Sequence, residues 1–86
     1  MEFSHLKNKI MADLFSRSRE NRVFLTPKIC QSDFLPEQII VECKEIEITQ
    51  RNNGRPKTKF FTYDKNGDFV SQGGLSRDEI NSLVDL

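Results

Sequence analysis

The most informative stretch of the chain is Arg51-Asn52-Asn53-Gly54-Arg55-Pro56-Lys57-Thr58-Lys59-Phe60-Phe61-Thr62-Tyr63-Asp64. Its Asn-Gly pair tolerates the positive φ angles of tight hairpins, and the aromatic and threonine residues after it favour a strand. A second turn signal, Asp64-Lys65-Asn66-Gly67, ends this strand. The stretch therefore predicts an antiparallel β-hairpin or a three-stranded meander.

The same stretch concentrates positive charge. Between Arg51 and Asn66 there are five Lys and Arg residues against one Asp, although the 86-residue chain as a whole has no net charge. Cationic side chains that neutralise phosphates release condensed counterions, which drives nucleic-acid binding. We therefore expect phosphate contacts from four side chains of the hairpin: Arg51, Arg55, Lys57 and Lys59.

Charge alternates in blocks along the rest of the chain. Residues 1–30 carry a net +3, residues 31–50 a net −4, residues 51–66 a net +4 and residues 67–86 a net −3. This pattern suits a protein with one basic and one acidic face. The acidic block at residues 31–50 is an alternative contact surface, for a protein partner.

Two helices are predicted before the hairpin. The first runs from about Ser4 to about Glu20, because Leu6, Ile10 and Leu14 recur every fourth residue and form one apolar stripe. Basic residues off this stripe are expected to form a solvated face. A short second helix is predicted over residues 26–33, where a threonine N-cap precedes a proline at the first helical position.

Residues 37–50 fit two structures. Their isoleucines and valine favour one long strand, which would need a bulge near Lys44-Glu45 to keep its apolar residues on one face. The alternative is a short helix over residues 36–43 that passes into a strand over residues 45–51. The long strand is slightly favoured.

The clearest local signal is at the C-terminal end. Ser76 and Glu79 have the spacing of a capping box, and Leu75 and Ile80 stand where a hydrophobic staple would be. This predicts a helix from Arg77 to near residue 86. The expected fold is α+β in a single domain of residues 1–86, with the hairpin or meander packed against the first and last helices.

Several classes of site are not expected. Cys30 and Cys43 are interpreted as reduced, apolar fillers, and one histidine cannot complete a site of Cys and His ligands. The loop at residues 64–68 lacks the glycine and glutamate positions of a calcium loop. Neither a catalytic motif nor a cofactor motif is found. The longest aliphatic runs are too short for a membrane span, and without a secretory signal a cytoplasmic location is expected.

The basic turn and aromatic strand at residues 51–64 resemble the wing of winged-helix DNA-binding regulators. That resemblance implies a helix-turn-helix upstream, with a first helix over residues 26–33 and a recognition helix over residues 35–43. Phe34 departs from the family's usual glycine in the turn, and Glu37 and Glu42 would repel phosphate from the recognition helix.

Residues 46–83 also resemble the three-stranded arm-binding domains of tyrosine integrases, in which strand, Asn-Gly turn, strand, Asp-x-x-Gly turn and strand precede Gly-Gly and a capped helix. The third strand lacks that family's basic residues. The order of helix, three strands and helix is similar to that of double-stranded RNA-binding domains, but the last helix lacks their lysine-rich start.

The favoured function is a small, non-enzymatic nucleic-acid-binding or transcription-regulating protein that contacts DNA phosphate through its basic hairpin. The alternative is a protein-interaction module, an inhibitor or adaptor, that uses the acidic 31–50 segment or an exposed sheet edge. A basic hairpin that joins Lys7, Lys9 or the Arg17–Arg22 cluster on one surface would favour nucleic acid. Scattered basic residues beside an apolar patch would favour a protein partner.

Overall fold

One helix packs on a five-stranded antiparallel sheet in the computed structural model, which describes residues 3–19, 22–47 and 55–86. The α+β class and the N-terminal helix are therefore confirmed. The elements follow one another as α1 (Phe3–Ser16), β1 (Arg22–Ser32), β2 (Leu35–Glu47), β3 (Lys57–Asp64), β4 (Phe69–Gln72), α2 (Arg77–Asn81) and β5 (Val84–Asp85).

Helix α1 lies on one face of the sheet through the predicted stripe. Ile10 and Leu14 are fully buried, and Leu6 and Met11 pack partly buried against the same core. The helix ends at Ser16, four residues earlier than predicted, and Phe15 next to the stripe is 57% exposed.

Strands β1 to β4 form a meander, and the spatial order of the sheet is β4-β3-β2-β1-β5. Strands β2 and β3 pair without interruption from Gln38 opposite Asp64 to Glu45 opposite Lys57. The predicted antiparallel pairing of the aromatic strand is therefore confirmed, and residues 36–44 belong to a strand. The Asn53-Gly54 turn lies outside the described residues.

The core fills the space between α1 and the sheet. Phe61 and Tyr63 of β3 are 1% and 0% exposed, and the Phe24 ring of β1 meets the Phe61 ring edge-on with centroids 5.1 Å apart. Edge-to-face packing suits the charge distribution of aromatic rings. Phe61 and Tyr63 are therefore part of the core and are not available for contact with a ligand.

The predicted second helix is wrong, since its residues 26–33 lie mostly in β1. Thr26 and Pro27 form a bulge in this strand, and Thr26 has a φ of 49°. A bulge tolerates proline because one residue there makes no ladder hydrogen bond. The predicted helix cap is therefore a strand irregularity, and the helices that the winged-helix resemblance implied at residues 26–33 and 35–43 are strands.

The bulge expected near Lys44-Glu45 is also misplaced, because β2 is regular against β3 throughout that region. The register against β1 shifts instead between Leu25 and Lys28, so the extra residue belongs to β1. Because β2 alternates regularly, Ile46 lies on the face opposite Val41 and Cys43. The extra residue in β1 instead places Phe24 and Ile29 on the same face, in the core.

The second turn forms as predicted and connects β3 to β4. The Gly67 amide donates to the Asp64 carbonyl at 3.0 Å, and the Asp64 carboxylate accepts from the amides of Asn66 and Asp68. Gly67 has a φ of 82°, a left-handed conformation that glycine adopts without strain.

Helix α2 begins with the predicted capping box, in which the Ser76 hydroxyl accepts from the Glu79 amide and the Glu79 carboxylate accepts from the Ser76 amide. However, this helix has five residues and does not run to the end of the chain. Val84 and Asp85 pair instead with β1 as the edge strand β5.

A second layer of buried residues lies on the sheet face opposite α1. Ile40, Cys30 and Thr62 share this face by register and are at most 3% exposed. The chain between β4 and β5 must connect the two edges of the sheet, and it contains the half-buried residues Leu75, Ile80 and Leu83. We infer that this connection covers the second face.

Candidate nucleic-acid interface

The structure places three of the four predicted phosphate contacts together at one end of the sheet. Lys57 and Lys59 lie on β3 opposite Glu45 and Cys43, on the same face as α1. Arg55 lies two residues before the start of this strand and is exposed. Arg51 lies outside the described residues.

These side chains line a cavity of about 240 Å³ beyond the part of the sheet that α1 covers. We call it the hairpin cavity. Successive same-face residues of a strand lie about 6.6 Å apart, so Lys57 and Lys59 are spaced to contact different phosphates. The complete lining is Arg22, Glu45, Glu47, Arg55, Lys57 and Lys59.

Arg22 forms an ion pair with the buried carboxylate of Glu45. Its Nε atom lies 3.1 Å from Glu45 Oε1, and the Arg22 side chain is 53% exposed whereas that of Glu45 is 10% exposed. A buried carboxylate needs such a partner to offset its lost hydration. The pair therefore holds Arg22 in place while much of its side chain remains accessible from solvent.

A second and larger cavity, of about 420 Å³, lies beside the end of α1. We call it the helix-end cavity. Arg22 lines both cavities, so the basic residues after α1 join the hairpin residues on one surface. The lining of the helix-end cavity is Ser16, Arg17, Arg19, Arg22, Phe24, Phe61 and Gln72.

Sequence reasoning treated Arg17 and Arg19 as a solvated helix face and did not assign Arg22 to the site. The sequence contains one signal for this part of the site, since Arg17, Arg19 and Arg22 follow shortly after Leu14, the last residue of the apolar stripe. That position is where a chain leaves its helix and turns toward the next strand. The pairing of β1 with β2 brings Arg22 opposite Glu47. This pairing was not predicted, because residues 26–33 were assigned to a helix.

Arg17 is held by a network that joins α1 to β3 and β4. Its Nε atom donates to Asp13 at 2.8 Å, and its guanidinium carbon lies 3.8 Å from the centre of the Phe69 ring. The Tyr63 hydroxyl donates to the same Asp13 oxygen at 2.6 Å. Burial alone would raise the pKa of Asp13, but hydrogen bonds from Arg17 and Tyr63 outweigh it and lower that pKa.

The acidic segment does not form one continuous surface. Glu45 and Glu47 lie on the face of α1, whereas Glu42 lies on the opposite face by register. Glu37 pairs with Lys65 at the other end of the sheet. Two of these carboxylates therefore belong to the basic cavity and partly neutralise it.

Both cysteines are buried, and they lie on opposite faces of the sheet, since Cys30 pairs with Ile40 and Cys43 with Lys59. Burial raises the pKa of each thiol to about 11, with Asp85 adding to the effect at Cys30 and Glu45 at Cys43. Thiols with such values are protonated and weakly reactive at neutral pH.

The described ranges contain no cluster of three or more His, Cys, Asp or Glu side chains arranged to hold a metal ion. In the same ranges, no helix has the length and apolar character needed to cross a membrane. Comparison of the chain with protein-family models, with curated proteins and with solved structures gives no match.

Proposed function

We propose that this protein is a non-catalytic nucleic-acid-binding protein that contacts the phosphate backbone along the two joined cavities. The observation that carries the proposal is that Arg22 lines both of them. Six basic residues thereby face one surface against two carboxylates. The six are Arg17, Arg19, Arg22, Arg55, Lys57 and Lys59.

The zero net charge of the whole chain supports a localised binding surface. The protein has 13 basic and 13 acidic residues, so a surface on which six basic side chains outnumber Glu45, Glu47 and the Arg17 partner Asp13 is a local feature. A local basic surface orients a polyanion without binding it indiscriminately elsewhere. A role in regulating transcription would be one use of such binding.

The fixed arginines favour binding of phosphate over a purely solvated role. Asp13 holds Arg17, and Glu45 holds Arg22. A guanidinium that is already positioned loses less side-chain entropy when it donates to a phosphate oxygen. Arg55 and Lys57 add two exposed charges to the hairpin cavity.

A protein-interaction role is the second candidate, and the sheet edge favours it more than the acidic segment does. Strand β4 lies at the edge of the sheet, its four residues are exposed and it contains no charged side chain. Uncharged edge strands are open to pairing with another strand. On this alternative, charge changes in the two cavities leave partner affinity intact.

The test is a binding titration with two doubly substituted proteins of equal charge. Lys57→Gln with Lys59→Gln removes two charges from the hairpin cavity, and Lys28→Gln with Lys44→Gln removes two exposed charges from the opposite face. We expect the first pair to weaken binding of fluorescein-labelled nucleic acid about tenfold or more, and the second pair to change it little. Equal effects of the two pairs would contradict a localised interface.

A further inference from the structure

The helix-end cavity has a shape and lining that the hairpin cavity does not have. At about 420 Å³ it falls in the usual range of small-molecule sites, about 300–1,000 Å³. Its lining combines three arginines with Gln72 and two almost fully buried aromatic residues, Phe24 and Phe61. Charge, a hydrogen-bonding amide and apolar surface are together what recognition of a nucleobase requires.

Arg17 supplies a flat surface in this cavity. Its guanidinium lies on the Phe69 ring and is bound to Asp13, so its plane is fixed. The hydroxyl of Tyr63 on β3 donates a hydrogen bond to Asp13, so Tyr63 acts as a positioning residue for Arg17. Unpaired bases stack on guanidinium planes as well as on aromatic rings.

We propose, building on the nucleic-acid binding proposed above, that the ligand is single-stranded and that the helix-end cavity receives one unpaired base. The base stacks against the Arg17 guanidinium, and the Gln72 amide bonds the edge of the base. The flanking phosphates lie on Arg19 and Arg22 and lead the strand toward the hairpin cavity.

The concave shape gives the reason for single-stranded nucleic acid. A base within a duplex is enclosed by its stack and its pairing partner, so it enters a cavity only after flipping, which costs a few kcal/mol. An unpaired base enters without that cost, and stacking contributes substantially to the affinity of single-stranded complexes. Duplex DNA is therefore expected to contact the outer phosphate-binding residues without filling the helix-end cavity.

The experiment compares fluorescence-anisotropy titrations of labelled oligo(dT) and of a mixed-sequence duplex of the same length. The wild-type protein should bind the single strand more tightly. Arg17→Lys retains the charge but removes the guanidinium plane, so it should weaken oligo(dT) binding about fivefold or more, clearly more than it weakens duplex binding, and preserve the salt dependence.

Gln72→Ala provides a second variant at an exposed position of β4, outside the six basic residues, and it should weaken single-strand binding while leaving duplex binding unchanged. Arg77→Lys makes the same chemical change on α2, outside both cavities, and should change neither affinity. Thermal denaturation of each variant checks its fold.

The outcomes separate this inference from the proposal on which it rests. Duplex binding as tight as single-strand binding, with Arg17→Lys and Gln72→Ala both silent, would overturn the inference and leave phosphate binding standing. An equal loss of affinity for oligo(dT) and for the duplex in Arg17→Lys would also overturn the inference. Absence of binding to either ligand at low salt and micromolar protein would overturn both.

Discussion

The Tyr63 hydroxyl donates a 2.6 Å hydrogen bond to the carboxylate of Asp13, fifty positions earlier in the chain. This bond joins the C-terminal end of β3 to α1, and the same carboxylate holds Arg17 at the edge of the helix-end cavity. The network therefore links the stability of the fold to the arrangement of the site. A change at Asp13 or Tyr63 should alter both.

Replacing Tyr63 with Phe should lower the free energy of unfolding by about 1.5 kcal/mol. This is the lower end for a hydrogen bond to a charged group, because Asp13 remains partly hydrated. Urea denaturation at neutral pH measures the loss. A change near zero would show that the hydroxyl contributes nothing to stability.

The chain contains one tyrosine, so alkaline absorbance reports Tyr63 alone. Burial, and after it the Asp13 hydrogen bond, raises the pKa of Tyr63 well above its ordinary value of 10. Because the raised pKa belongs to the folded state, its stabilisation is present below pH 10 and is lost as the pH rises further. Tyrosinate should therefore appear together with unfolding, and titration of the folded protein near pH 10 would contradict this.

Acid should weaken the protein through Asp13. Its pKa is lowered from 3.8 in the folded state, so its contribution to stability is present above that value and is lost as the pH falls below it. Urea denaturation near neutral pH and near pH 3 should show a smaller acid-induced loss in Asp13→Asn than in the wild type. Identical losses would assign the acid sensitivity to other carboxylates.

Gly67 and Gly73 both have a positive φ, at 82° and 75°, but their surroundings differ. A Cβ at Gly67 would lie 3.0 Å from Leu6 Cδ1, whereas one at Gly73 would meet nothing within 4 Å. Gly73→Ala should cost about 1–2 kcal/mol for the left-handed backbone alone. Gly67→Ala should cost more, because the Leu6 and Lys9 side chains must also shift by a few tenths of an ångström. Thermal denaturation showing equal costs would contradict this contact.

Sequence reasoning identified the elements whose signals are local. The apolar stripe of α1, the turn at Gly67 and the capping box at Ser76 depend on residues within one turn of one another, and all three are present. The prediction of a helix over residues 26–33 was wrong because a Thr-Pro pair, considered without its partners in the fold, is typical of a helix N-terminus. In the protein, pairing with β2 outweighs it and places Thr26 in a bulge.

The same distinction between local and long-range signals applies to the residues of the candidate site. Lys57 and Lys59 follow from the alternation of one strand, which places both on one face. Arg22 depends on the pairing of β1 with β2, a long-range contact that no local spacing reveals. The joining of the two cavities could therefore not be predicted without the sheet order.

The salt dependence of nucleic-acid binding tests the central claim most directly. Log affinity plotted against log salt concentration should fall steeply between about 50 mM and about 200 mM, by about 0.7 in slope for each phosphate contact of a single strand. Lys57→Gln with Lys59→Gln should flatten that slope by two contacts, while Lys28→Gln with Lys44→Gln should leave it unchanged. An affinity independent of salt, or a slope that the hairpin substitutions do not alter, would contradict phosphate binding at this surface.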